Sequence, residues 1–328
     1  MSNLTRSLMC FCLLVLIVGV SSASLQAQCS VSFTNSFDYD NGFNPKVAYA
    51  GKNVVEVHNA ADGVSALWYH VGKLASPYSS ITWGSSHQFE SAGFNPSVAI
   101  TGTTVIEVHN SIDGVGPLEY TVGTLNATKK TIAWGKTAQF DNGYNPMIAV
   151  VGSTVIEVHN AETSVGPLWY STGTLNASTK TVKWGTSKQY DNGFNPSVAA
   201  SGTDLIEVHN GGSGSSVALW YHIGTISGSK VTWQGSVEYV SSGYNPTVGY
   251  NGEAVLEVHN GEYGGVFPLW YDTATLESSI VWDYTNSYDN GMNPSVALPT
   301  NSSIGVEVHN GNNGEGALWY RIATVTCD

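Results

Sequence analysis

Thr154-Val155-Ile156-Glu157-Val158-His159-Asn160 is one of six copies of a segment built on Glu-Val-His-Asn, which recurs from Glu56, Glu107, Glu157, Glu207, Glu257 and Glu307. The spacing is 51 residues once and 50 residues four times. A fixed period of this size marks an array of like structural units. Around the quoted segment every copy keeps the same order of parts. Gly143-Tyr144-Asn145-Pro146-Met147-Ile148-Ala149 comes before it, and Pro167-Leu168-Trp169-Tyr170 and Thr181-Val182-Lys183-Trp184-Gly185 come after. Each part is short, rich in β-branched and aromatic residues, and bounded by Gly, Asn or Ser. That composition reads as four antiparallel strands per unit, with no helical period between them.

Four short strands in each tandem unit of this length describe a β-propeller blade. A β-solenoid needs shorter units, and tandem sandwiches need about twice the length per unit. The expected fold is therefore all-β, a six-bladed β-propeller over residues 29–328, treated as one domain. The two ends predict how the ring closes. The last repeat runs from Leu318 to Cys327 and stops before its fourth strand. Cys29-Ser30-Val31-Ser32-Phe33 matches the missing piece, with Phe33 where other repeats carry Trp. The N-terminal strand is thus expected to complete the sixth blade. Cys29 and Cys327 then stand where other blades have a connecting loop such as Leu175 to Lys180, and a disulfide there would fasten the ring. Closing so long a loop contributes roughly 4–5 kcal/mol in the chain-entropy account.

The compartment follows from the N-terminus. Arg6, the apolar run Leu8 to Val20 and Ser21-Ser22-Ala23 read as a secretory signal over residues 1–23, with a second cleavage point after Ala27. An apolar run of about 13 residues is short of the roughly 20 that span a bilayer. Gln26-Ala27-Gln28 before Cys29 is a poor lipoprotein cleavage site. Cys10 and Cys12 leave with the signal, so two cysteines remain for an oxidising compartment. The formal charge is −13, and Arg321 is the one arginine besides Arg6. No basic stripe is available to neutralise phosphates, which excludes nucleic acid and disfavours strongly anionic glycans. The expected partners are neutral or weakly charged glycans, with a homo-oligomer possible and no membrane insertion of the mature chain. The sequons at Asn126, Asn176 and Asn301 matter only in a host that glycosylates.

Strand alternation places Val155, Glu157 and His159 on one side and Ile156, Val158 and Asn160 on the other. In stacked blades both sides are covered, so Glu and His are expected to bond each other or nearby backbone. One reading makes Glu-His-Asn a structural network repeated per blade. The other lets His58, His109, His159, His209, His259 and His309, with Asn59, Asn110, Asn160, Asn210, Asn260 and Asn310, reach a groove and hold sugar hydroxyls. Six histidines spread around an axis do not make one metal ring, and no metal or cofactor is assigned.

Leu-Trp-Tyr recurs at Trp68, Trp169, Trp220, Trp270 and Trp319, with Glu119 in the second repeat. A buried indole position rarely tolerates a carboxylate, because an unpaired buried charge is costly. These tryptophans are therefore expected to be partly exposed and to offer flat faces to sugar rings. The second series, Trp83, Trp134, Trp184, Trp233 and Trp282, tolerates Phe33 and reads as core. Asn-Pro (Asn44, Asn95, Asn145, Asn195, Asn245 and Asn293) reads as a turn device. Asp-Asn-Gly at Asp40, Asp141, Asp191 and Asp289 also reads as turns, with too few oxygen ligands for calcium. No repeat carries an unmatched acid–base pair around a single reacting atom, and a sialidase-like site would want several arginines, so no catalytic residue is assigned.

Gly193-Phe194-Asn195-Pro196-Ser197-Val198-Ala199, Val155-Ile156-Glu157-Val158-His159-Asn160, Leu168-Trp169-Tyr170 and Ile81-Thr82-Trp83-Gly84 together resemble the PLL-like lectins, named for the Photorhabdus luminescens lectin. The resemblance extends over essentially all of residues 29–328. It implies a β-propeller that binds fucose or O-methylated sugars at several sites in or between blades. Two features depart from that pattern. Those lectins have seven blades against six repeats here, and commonly Gln where this chain has Asn after Glu-Val-His.

Overall fold

A computed structural model describes residues 28–60, 66–212, 217–261, 267–276, 279–283, 285–311 and 316–328. The predicted signal segment lies outside the described residues. Among the described residues there are twenty-five strands, all paired antiparallel, and no helix is long and apolar enough to cross a membrane.

The strands form six blades. Blade III shows the plan. Its inner strand is the second half of Ala138–Val151, its second strand Thr154–Asn160, and its third Gly166–Asn176. The outer position is shared by Thr181–Trp184 and the first half of Lys188–Ser201. That last strand then crosses over and becomes the inner strand of blade IV. Phe37–Ala50, Ala138–Val151, Val237–Tyr250 and Asn286–Ala297 cross between blades in the same way. The Asp-Asn-Gly triplets, expected as turns, lie in the middle of these crossing strands. Pairing with the third strand overrides their local turn preference.

Asn-Pro marks where each crossing strand enters the next blade. All six asparagines are left-handed, with φ between 50° and 54°. A one-residue register shift falls there, as between Tyr144 and Met147. Asparagine is among the few residues that take this conformation readily, and Pro146 cannot donate to a ladder.

The ring closes as expected. Cys29 to Phe33 pairs with Cys327 to Ala323 in register, and residues 37–42 pair with Tyr320 to Gly316. Cys29 and Cys327 form a disulfide across the first rung of that ladder. The core is divided into six clusters among the described residues, one in each seam between neighbouring blades. Ala99, Ile106, Val108 and Val122 of blade II, for example, pack on Ile148, Val155 and Val182 of blade III. The closing seam between blades VI and I is as well filled as the others, by Val306, Val308 and Ile322 against Val47 and Val54. The second tryptophan series belongs to these seams. Trp184 stacks on Phe140 with centroids 4.4 Å apart, and Phe33 on Tyr288 at 4.6 Å.

Candidate functional site

Each seam also holds a polar groove, assembled from two blades. Alternation turns Glu157 and His159 toward the preceding blade, and Ile156, Val158 and Asn160 toward the following one. The clusters agree: Val155 packs toward blade II and Ile156 toward blade IV.

The glutamates are fully buried, and their histidine partners are almost as deep. In every blade the His Nδ1 lies 3.0–3.2 Å from a carboxylate oxygen of the Glu two residues before it. Burial pushes the Glu157 carboxyl up against the opposing pull of His159. Burial pulls the His159 imidazole down, but Glu157 and Asp141 outweigh it and leave it raised. Glu107 and His109 behave alike. The pair thus holds a proton in common, and the Nε2 edge of His is the part turned to the groove.

A carboxylate of the preceding blade meets that edge. His58 Nε2 is 3.6 Å from Asp40, His209 Nε2 is 3.8 Å from Asp191, and His309 Nε2 is 3.6 Å from Asp289. A β-bulge brings the acid there. Leu168 pairs with Asp191 but Trp169 with Gln189, so Tyr190 is extra. Tyr190 and Asp191 are both turned toward blade IV, and the Tyr190 hydroxyl donates to Glu207 at 2.9 Å. Bulges re-aim side chains in this way. The acid is also bonded by a hydroxyl of the following blade, Ser36 on Asp289 and Thr137 on Glu90.

Across the ladder from each His stands the residue of the Leu-Trp-Tyr series: His58 opposite Trp68, His159 opposite Trp169, His209 opposite Trp220, His259 opposite Trp270, His309 opposite Trp319. These five indoles are half-buried. In the second blade Glu119 takes the place, about one third exposed and 3.4 Å from His109 Nε2. A cavity of about 360 Å³ is lined by Asp289, Asn290, His309, Gly311 and Trp319. Its counterpart between blades VI and I, about 260 Å³, is lined by Asp40, Asn41, His58, Ala60 and Trp68. The structure therefore gathers the predicted His and Trp at one groove, together with an acid that the sequence reading had set aside.

The motif asparagines lie elsewhere. Asn160 Nδ2 donates to the Gly193 carbonyl at 3.1 Å, and its Oδ1 accepts from the Asn195 N–H at 3.1 Å. Asn110, Asn210, Asn260 and Asn310 make the same two bonds to the following blade, and Asn59 donates to Gly93. All six are buried, with both ends of the amide committed in at least five, so they act as stitches between blades. A separate cavity of about 530 Å³ sits where the crossing strands converge, among the Asn-Pro asparagines, Phe43, Tyr144, Phe194 and Tyr244.

One position separates the grooves. The residue after Leu-Trp-Tyr, opposite the buried Glu, is His70, Thr121, Ser171, His222, Asp272 or Arg321. His70 binds Asp40 at 2.5 Å, His222 binds Asp191 at 2.7 Å, and Arg321 binds Asp289 at 2.7 Å. Burial alone would raise Asp40, but hydrogen bonds from His70, the Asn41 N–H and Ser86 hold it at about 2. Between blades IV and V the acid of the preceding blade is replaced by Val240, and Asp272 supplies the carboxylate from the third strand instead. Burial, and then Glu257, push Asp272 up to about 7, and burial pulls His259 down to about 4. Asp191, His209 and His222, and likewise Glu257, His259 and Asp272, bring potential metal-ligand atoms within 4.8 Å of one another. The first set joins Asp191 of blade III to His209 and His222 of blade IV, and the second joins two neighbouring strands of blade V, so neither shows in the pattern that the repeats share.

No family model matches the chain, and no curated protein is similar to it in sequence. Solved structures share its fold. YjhT aligns with a TM-score of 0.57 at 10% identity, over 88% of this chain and 97% of that one. Trypanosoma rangeli sialidase in complex with the inhibitor DANA gives 0.58 at 14% identity, over 86% of this chain and 55% of that one. A mutant of NanB sialidase from Streptococcus pneumoniae gives 0.57 at 9% identity, over 87% and 68%. The chain spans just over half the length of the trypanosomal sialidase. At these identities the likeness is one of fold: a six-bladed propeller of the kind found in sialidases.

Proposed function

We propose that the protein is a secreted, multivalent, non-catalytic lectin that binds neutral sugars such as fucose or O-methylated glycans in the grooves between blades. The observation that carries this reading is the repeated pairing of a half-buried tryptophan with a histidine edge and a carboxylate, as at Trp319, His309 and Asp289 around one cavity. A flat indole offers an apolar platform, and the adjacent carboxylate and Asn290 amide offer acceptors and donors for hydroxyls, the usual division of labour in a small-molecule site. The fold shared with sialidases and the resemblance to PLL-like lectins both favour a carbohydrate ligand. Four such grooves on one rigid ring allow weak sites to act together with large gains in avidity.

Several features speak for neutral sugars and against turnover. Arg321, the single arginine among the described residues, is already held by Asp289 and the Thr34 carbonyl. It is not free to clamp a sugar carboxylate. The grooves themselves carry acids, and near-equivalent sites around a ring do not form one asymmetric catalytic centre.

Glycan-array screening at high protein density, followed by calorimetry with fucose and O-methylated monosaccharides, tests the proposal. Trp169→Ala and Trp319→Ala are expected to reduce the number of occupied sites while the protein stays folded. A protein that binds no glycan on the array, or whose binding is untouched by these substitutions, is not this lectin. Loss of stability without any sugar binding would favour a structural or protein-interaction propeller.

A further inference from the structure

Two of the six grooves carry a second histidine, and there the polar groups converge in a way the other four do not share. Between blades III and IV, His222 Nδ1 lies 2.8 Å from the Gln234 carbonyl, and its Nε2 lies 2.7 Å from Asp191 Oδ2. His209 Nδ1 lies 3.0 Å from Glu207, and its Nε2 faces the same Asp191 oxygen at 3.8 Å. Both Nδ1 atoms face acceptors, which places the proton there and leaves a lone pair on each Nε2 of the neutral rings. A histidine that ligates a metal is held in this fashion, its far nitrogen donating to a carboxylate or a backbone carbonyl.

The groove between blades VI and I carries the same residue types, but Asp40, His58 and His70 do not bring three ligand atoms within 4.8 Å of one another as Asp191, His209 and His222 do. His70 Nδ1 lies 3.3 Å from the Gly84 carbonyl, and its Nε2 lies 2.5 Å from Asp40 Oδ2. His58 Nδ1 lies 3.0 Å from Glu56, and its Nε2 is 3.6 Å from Asp40. The two grooves are three blades apart, on opposite sides of the ring.

We infer that the groove between blades III and IV is a divalent transition-metal site of the zinc class, formed by the Nε2 atoms of His209 and His222 and one oxygen of Asp191, with a coordination position open to the groove. Two imidazoles and one carboxylate are a donor set that suits zinc and its neighbours better than calcium or magnesium. Ligand atoms around a tetrahedral zinc stand roughly 3.3 Å apart. The distances of 2.7 Å and 3.8 Å to Asp191 lie on either side of that value. The open position follows from exposure. His209 and His222 are buried, whereas Asp191 is about one quarter exposed, so an ion and its remaining ligand reach the site from the Asp191 side. In the equivalent groove that side is the cavity lined by Asp40 and Trp68.

The remaining grooves lack such a set for identifiable reasons. Arg321 Nε occupies the cation position beside Asp289. Thr121 and Ser171 supply no imidazole. Glu257, His259 and Asp272 are all buried, with a single nitrogen among them and no exposed ligand. One ion per chain is therefore expected.

The inference does not depend on sugar binding. It is tested on tag-free, disulfide-bonded protein, stripped with a chelator and titrated with Zn²⁺ by calorimetry and with Co²⁺ by visible absorption. Wild type is expected to bind one equivalent at about pH 7.5, with intense Co²⁺ bands of low coordination number. His222→Gln should remove that equivalent while circular dichroism stays that of wild type, and His70→Gln should leave it in place. Asp191→Asn provides a second ligand deletion should His222→Gln fold poorly. Absence of saturable Zn²⁺ binding by wild type overturns the inference, whatever the variants do. So does retention of the equivalent in a folded His222→Gln protein.

Discussion

The α-carbon of Gly193 packs against the edge of the His209 imidazole: a methyl group built there would stand 2.5 Å from His209 Cδ2. The same closeness occurs between Gly42 and His58 and between Gly143 and His159, at 2.4 Å each. A glycine before each aromatic-Asn-Pro is therefore what seats the histidine against the crossing strand that arrives from the preceding blade. Gly193→Ala should displace His209 and cost on the order of 1–3 kcal/mol, as overpacked cores do. Urea denaturation compared with wild type measures it, and an unchanged midpoint would refute the steric account.

Asn160 is expected to matter for stability and not for ligand. Its two bonds to Gly193 and Asn195 join blades III and IV in a buried seam. Asn160→Ala leaves a buried carbonyl and a buried N–H without their partner, a loss on the order of 2–3 kcal/mol. Thermal melts give the loss, and per-site affinity for a bound sugar should be unchanged.

Removing the Cys29–Cys327 bond should be costly, because it closes the ring over a sequence separation of 298 residues. Cys29→Ser with Cys327→Ser is expected to lower stability by roughly 5 kcal/mol. Reduction of the wild-type protein should lower its melting temperature to that of the double variant.

The groove between blades IV and V makes stability depend on pH through Asp272. Its carboxyl is pushed up to about 7 in the folded protein, by burial first and by Glu257 second, while His259 and Thr285 oppose the shift. The folded state thus keeps a proton that the unfolded chain gives up near the ordinary aspartate value. That contribution is full below about pH 3.9 and is lost as the pH rises through about 7. Asp272→Asn cannot ionise. From about pH 5 to about pH 8, wild type should lose on the order of 2 kcal/mol relative to Asp272→Asn, a few degrees in melting temperature. A constant difference across that range would contradict the assignment.

Much of this molecule is legible in its repeats. The period gives the number of blades, because each unit supplies the four strands of one sheet. Alternation puts Glu157 and His159 on one side and Asn160 on the other, because a strand's side-chain period is two. The swap of Trp for Glu119 marks the half-buried position, because a carboxylate is tolerated only where water or a partner reaches it. The terminal half-repeats locate the disulfide, because a ring has to be closed somewhere.

The groove itself was settled only by tertiary structure. Asp-Asn-Gly has strong local turn preference, yet Asp191 lies in a crossing strand, turned toward His209 by a bulge at Tyr190 that pairing with Gly166–Asn176 imposes. His222 reaches the same carboxylate from a third strand. Sequence periodicity states which side of its own sheet a residue faces. It does not state which residue of the neighbouring blade will meet it, since that depends on how two whole sheets pack across their apolar seam.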